Sequence, residues 1–172
     1  GLLHLHDLGH GIAVYCLGFS LRDLLLEGFG GIRGRANSAP PKRLRVACIQ
    51  MANFIGCVQG EAAGAIAFNG VDTLLAPYVK LLEGDSKTKY IEIKQCLQEL
   101  VYNLNIPTRS GEIPFSNFSF DLAIPKDLRD QNPVIAGVPQ EFTYRECQEE
   151  VDLINKAFLE ILLEGDSEGR SF

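Results

Sequence analysis

The chain has 172 residues, 46% of them hydrophobic and 22% charged, a globular rather than disordered composition of the size of one ordinary domain. Sixteen basic side chains against 22 acidic ones leave a net charge of −6, with an isoelectric point near 5.1, so bulk electrostatic binding to nucleic acid is not expected. No apolar run reaches the roughly 18 residues of a membrane span, so no membrane partner is expected either.

The sequence starts Gly1-Leu2-Leu3-His4 without a basic leader or a signal-type apolar segment, and it reads as a segment of a longer chain. Its five cysteines, Cys16, Cys48, Cys57, Cys96 and Cys147, are odd in number and include no CxxC pair. Neither a disulfide framework nor a zinc ribbon fits that spacing, and reduced thiols in a cytoplasmic protein do.

Ile12-Ala-Val-Tyr-Cys-Leu-Gly-Phe19 is short and apolar and predicts a buried strand, with Cys16 in its middle; a helix start fits a run this short as well. Ser20 then caps a helix over 21–27 that stops at Gly28. Residues 28–37 carry four glycines together with Arg33 and Arg35 and form a loop. Ser38-Ala-Pro-Pro41 should open the next helix, since proline suits a first turn. From 42 to about 68 the chain reads as one long helix or two abutting ones, with Leu44, Cys48, Met51, Ile55 and Val58 on one face. Its small residues between 56 and 67, Gly60 and Gly64 among them, invite another backbone, such as that of a second subunit.

Two further helices are predicted over 71–82 and 87–104, separated by Glu83-Gly-Asp-Ser86. Phe115-Ser-Asn-Phe-Ser-Phe-Asp121 alternates aromatic and polar residues, the period of a strand. Residues 125–139, with three prolines, should be irregular and carry no hairpin signal. A strong amphipathic helix follows over 141–163, with Val151, Ile154, Phe158 and Ile161 on one side. A third strand could begin in the last eight residues. Strands separated by helices predict an incomplete α/β domain with parallel pairing.

All three histidines, His4, His6 and His10, fall in the first ten residues beside Asp7. An HxH at a strand mouth can ligate a metal, although hydrogen bonding at a strand entrance is its commoner role. A metallohydrolase would need later ligands, and no histidine follows, so no metal site is assigned. Cys16 is either a packed residue or a thiol aimed into a barrel interior. Cys48 and Cys57 are separated by roughly 900° of helical rotation and so face opposite sides; with Cys96 and Cys147 they read as structural thiols. Arg109-Ser-Gly111 and Ser116-Asn117-Phe118-Ser119 offer donors that could hold a phosphate or sugar hydroxyls, or simply form turns. Neither GxGxxG nor a P-loop is present.

The ordered series His4-Leu-His-Asp-Leu8, Tyr15-Cys16, Ser38-Ala-Pro-Pro-Lys42, Ala67-Phe68 with Val71-Asp72, and Leu75-Ala-Pro-Tyr78 resembles the class III anaerobic ribonucleoside-triphosphate reductases. Lys94-Gln-Cys-Leu-Gln-Glu99, Asn103-Leu-Asn-Ile-Pro107, Pro114-Phe-Ser-Asn117, Phe142-Thr-Tyr144, Gln148-Glu-Glu and Glu164-Gly-Asp166 extend the likeness along nearly the whole chain. The resemblance implies a ten-stranded α/β barrel, of which residues 1–172 are the N-terminal part with the dimer and effector helices. It implies a glycyl-radical enzyme that makes deoxyribonucleoside triphosphates without oxygen, the radical being generated by an S-adenosylmethionine iron–sulfur activase. A cysteine on an interior loop abstracts the ribose 3′ hydrogen, and a second cysteine, which Cys16 matches by position, takes part in reducing the 2′ position.

The family's thiyl-loop cysteine, radical glycine and zinc site lie beyond this stretch, and the isolated chain is expected to be inactive. Asn117 and Ser119 are candidate substrate contacts. Lys42 and Asn53 fall where dNTP or ATP effectors would bind, and a homodimer is implied. The alternatives are another glycyl-radical enzyme or a non-catalytic nucleotide-binding remnant.

Overall fold

The structure is a computed structural model and describes residues 14–30, 36–107, 111 and 113–172. Three short strands, β1 (Leu17–Phe19), β2 (Ile66–Phe68) and β3 (Ser116–Phe118), form a parallel sheet in the order β1-β2-β3. Parallel neighbours need long crossovers. Here α1 (Leu21–Glu27) and α2 (Leu44–Val58) join β1 to β2, and α3 (Val71–Lys80) and α4 (Ser86–Asn105) join β2 to β3. A two-stranded hairpin, β4 (Val134–Ile135) and β5 (Val138–Pro139), and α5 (Gln148–Glu164) complete the chain.

Alternate strand residues point to opposite faces of a sheet, and here the two faces differ completely. Phe19, Phe68 and Phe118 occupy one row of the register and turn toward the helices. Phe54 of α2 meets Phe19 edge-on at 4.8 Å between centroids and Phe68 at 5.4 Å, while Phe118 lies 6.3 Å from Phe158 of α5. Gly18, Ala67 and Asn117 form the alternate row, which the helices leave open. Ile66 of β2 and Leu75, Leu97 and Ile154 of the helices are fully buried, each such side chain stabilising the fold by about 1.5–3 kcal/mol.

Local chemistry sets several helix ends. The Ser20 hydroxyl accepts the Asp23 N–H at 3.3 Å, and Gly28 ends α1 with φ +79°. At α4 the Asp85 carboxylate accepts the Thr88 N–H at 2.7 Å. The α2 face of Leu44, Cys48, Met51 and Ile55 is buried as predicted, with Val58 half-buried.

Several expectations are corrected. Helix α2 starts at Leu44 rather than within Ser38-Ala-Pro-Pro41. Each proline restricts the residue before it to extended backbone, and the Ser38 hydroxyl is engaged by the Gln50 side chain at 2.5 Å. The helix does not continue to 68: after a 3-10 turn at Gln59–Glu61 the backbone extends at Ala62 (φ −127°, ψ 149°) and enters β2, the middle strand.

The third strand is therefore β2, and the last eight residues instead turn around Asp166, whose carboxylate accepts the N–H groups of Glu168 and Arg170 at 2.9 Å each. The segment 125–139 does contain a hairpin. Its two turn residues, Ala136 (φ +52°) and Gly137 (φ +79°), both take the left-handed backbone that a tight two-residue turn requires. The last helix starts at Gln148, after a 3-10 turn at Tyr144–Cys147 whose capping box is formed by Thr143 and Glu146.

Candidate functional site

In α/β sheets ligands bind beyond the carboxyl ends of parallel strands, and this sheet has a cavity of roughly 320 Å³ there, lined by residues of all three strand ends including Gly18, Ser20, Ala67, Asn69 and Ser119. It is roomy because the sequence places small residues where two strands open onto it. A Cβ built on Gly18 would meet nothing within 4 Å. The polar groups around it are neutral: the Ser20 hydroxyl, the Asn69 amide and the Ser119 hydroxyl.

Helix α3 starts two residues after Asn69, which lines this cavity, and two of its first three amide donors are committed. The Val71 N–H goes to the Ser119 carbonyl at 3.0 Å, and the Thr73 N–H to the Asp72 carboxylate at 2.9 Å. The polar side chains that line the cavity are those of Ser20, Asn69 and Ser119.

The predicted substrate contacts are at the open side of the sheet and its carboxyl end, and the predicted thiol precedes the first strand. Asn117 stands in the row of Gly18 and Ala67 and is exposed. Ser119, two residues further along, reaches the cavity, and its own N–H is held by the Phe68 carbonyl at 3.0 Å. Cys16 lies two residues before Gly18, outside the strand and at the amino end of β1, whereas the cavity is at the carboxyl ends.

The structure corrects its setting: Cys16 precedes β1 instead of sitting mid-strand, and it is exposed. The first half of the apolar run is left uncovered, with Tyr15 76% exposed, because the helices cover only the face of Leu17 and Phe19. The Ala65 N–H points at the Cys16 sulfur at 3.4 Å. Gly64 runs so close that its Cβ would fall 2.9 Å from that sulfur and 2.6 Å from the Tyr15 carbonyl oxygen. The close approach invited by Gly64 is thus met within the chain.

Of the other thiols, Cys48, Cys96 and Cys147 are buried. Burial raises all three, Cys96 and Cys147 to about 12, which keeps them protonated and inert. Cys57 is exposed, opposite Cys48 on α2 as the helical rotation predicts.

Lys42 and Asn53 lie away from the cavity. Lys42 precedes α2 and Asn53 is on it, both exposed. Asn53 belongs to an exposed stripe with Val46, Ile49 and Cys57, on the side of α2 turned away from its buried face. Its neighbour Phe54 packs on Phe19 and Phe68, which line the cavity.

His4, His6, Asp7, His10, Arg33, Arg35 and Arg109 lie outside the described residues. Among the described residues, no group of three or more His, Cys, Asp or Glu side chains could hold a metal ion, and no helix is long and apolar enough to cross a membrane. Sequence reading missed the role of Asp72, a fully buried carboxylate beside the cavity. Only the polar residue in an apolar helix start hinted at it.

Residues 1–172 match the family model described as anaerobic ribonucleoside-triphosphate reductase. The anaerobic ribonucleoside-triphosphate reductase of Escherichia coli K12 is 28% identical over 143 residues, covering 71% of this chain and 20% of that protein. The Haemophilus influenzae reductase of the same name is 30% identical over 145 residues, with the same coverage. The Thermotoga maritima anaerobic ribonucleotide reductase, solved in complex with dATP and CTP, superimposes with a TM-score of 0.67 at 20% identity, over 86% of this chain and 25% of that one. The chain thus spans about a fifth of the length of these curated relatives, and its fold matches part of a barrel-type α/β architecture.

Proposed function

We propose, since the chain belongs to the anaerobic ribonucleoside-triphosphate reductase family, that it forms one wall of the cavity in which a ribonucleoside triphosphate is reduced to its deoxy form. The observation that carries this reading is the open face of the sheet. Asn117 stands on it, Ser119 lines the cavity at its end, Cys16 precedes its first strand, and small residues at Gly18 and Ala67 leave room for a sugar. Asn117 can donate and accept, and the Ser119 hydroxyl can do the same, so together they can orient the ribose hydroxyls. The exposed Cys16 thiol is a hydrogen-atom donor and serves in reducing the 2′ position.

The family's glycyl radical, made by an S-adenosylmethionine iron–sulfur activase, supplies the initiating unpaired electron. The accessible sulfur of Cys16 and the space over Gly18 suit the thiol's part in that chemistry. The exposed α2 stripe around Asn53, with Lys42 at its head, serves as effector-nucleotide and subunit face, and Phe54 joins it to the cavity walls. A cytoplasmic location accords with five free thiols.

The test is steady-state kinetics on the intact, activated protein. Asn117→Ala and Ser119→Ala should each raise the KM for ribonucleoside triphosphate up to about tenfold, the equivalent of a hydrogen bond or so. Lys42→Ala should alter effector response and leave the effector-free KM unchanged. Wild-type KM in both the Asn117 and the Ser119 variant would defeat this placement of the substrate.

A further inference from the structure

Asp72 is the second residue of α3 and has no exposed surface. One carboxylate oxygen accepts the N–H groups of Thr73 and Asp121, both at 2.9 Å. The other accepts the Leu122 N–H at 2.8 Å and the Asn155 side-chain amide at 2.9 Å. Burying a carboxylate is costly unless its oxygens are well satisfied, so four N–H donors converging on one buried group mark a built arrangement. Two of the four come from successive residues of the backbone leaving β3, a two-point clamp.

The clamped backbone is not at ease. Leu122 has φ +63°, a left-handed conformation that non-glycine residues rarely take, and its side chain is 65% exposed, so little burial compensates. The β3 exit also passes so near the β2–α3 turn that a Cβ on Gly70 (φ +57°) would lie 3.0 Å from an Asp121 carboxylate oxygen. Just upstream, the Ser119 carbonyl accepts the Val71 N–H, and Ser119 lines the cavity.

We infer that Asp72 is a positioning residue, holding the β3 exit in its strained path so that Ser119 stays at the cavity mouth. This rests on the reading of the cavity as the ribonucleotide site. Asp72→Asn keeps the size of the side chain and one acceptor oxygen but turns an amide nitrogen toward one of the clamped N–H groups. The assays, on the intact protein, are amide hydrogen exchange over 119–122 and dissociation constants for ribonucleoside triphosphate and for effector nucleotide.

Exchange over 119–122 should accelerate, substrate affinity should fall about tenfold through misplacement of the contact, and effector affinity should hold within about twofold. Adding Leu122→Gly should restore most of the substrate affinity, because glycine takes the left-handed backbone unaided. Unchanged exchange, equal losses for substrate and effector, or no rescue by glycine would overturn the inference. A wild-type protein without ribonucleotide affinity would instead refute the cavity reading, and the exchange data would still decide the clamp.

Discussion

Gly60 and Gly64 look alike in the sequence, and the structure separates them. A Cβ on Gly64 would stand 2.6 Å from the Tyr15 carbonyl oxygen and 2.9 Å from the Cys16 sulfur, whereas one on Gly60 would meet nothing within 4 Å. In Gly64→Ala the Tyr15 carbonyl must retreat by roughly 0.8 Å to reach ordinary contact at 3.4 Å. It is not free to do so, because hydrogen bonds on either side, Ala63 N–H to the Val14 carbonyl and Leu17 N–H to the Ala65 carbonyl, both at 3.0 Å, fasten the two segments together.

Overpacking of this kind costs about 1–3 kcal/mol, and loss of one of the flanking bonds adds about 1 kcal/mol. At about 2–4 °C per kcal/mol for a chain of this size, the melting temperature should fall by roughly 4–16 °C. Gly60→Ala should be neutral or stabilising by up to about 1 kcal/mol, since alanine restricts the unfolded chain. Thermal unfolding of the two variants, with the alkylation rate of Cys16 as a local probe, decides the matter. Equal stabilities and equal Cys16 reactivity would refute the argument from close approach.

Replacing Ile66, fully buried in the middle strand, with alanine should cost about 2–5 kcal/mol in urea unfolding. Ile49→Ala, 43% exposed on α2, should change unfolding by less than about 0.5 kcal/mol yet weaken self-association in light scattering. Stability should also decline on the alkaline side. Burial raises Cys48, Cys96 and Cys147 from their ordinary 9.0, and Tyr78 and Tyr144 from 10.0. The unfolded chain therefore loses these protons first: the stabilisation is complete below about pH 9 and drains away as pH rises toward 12. Urea midpoints measured from pH 7 to 11 should show this, with a shallower decline in Cys147→Ala.

What the sequence disclosed was what its neighbours in sequence decide. Ser20 and Gly28 bracket α1, Asp85 starts α4, and the alternation around Ser116–Phe118 marks β3, because caps and periodicity act over a few residues. Strand β2 was hidden because Ile66–Phe68 follows a run of small residues that continues a helical pattern, and only pairing with β1 and β3 makes it a strand. The hairpin turn was hidden because Ala136 stands where asparagine or glycine is the usual signal.

At the site, Cys16 and Asn117 are nameable from motif order and Ser119 from the polar run 116–119, but the face that Asn117 occupies depends on the register across β2. Asp72 has only one local hint to its role, a polar residue in an apolar helix start. Its partners Asp121, Leu122 and Asn155 are 49, 50 and 83 residues away.

The central claim is that the open face of the sheet, with Cys16 just before its first strand, takes part in ribonucleotide reduction. It is tested most directly by anaerobic turnover of a ribonucleoside triphosphate by the intact protein, with activase and S-adenosylmethionine, comparing wild type with Cys16→Ser while the glycyl radical is followed by electron paramagnetic resonance. Serine is nearly isosteric, but its O–H bond is too strong to give up a hydrogen atom. The account predicts deoxyribonucleotide from wild type and none from Cys16→Ser, at equal radical signal; wild-type turnover by Cys16→Ser, or a radical-bearing wild type that forms no deoxyribonucleotide, would contradict it.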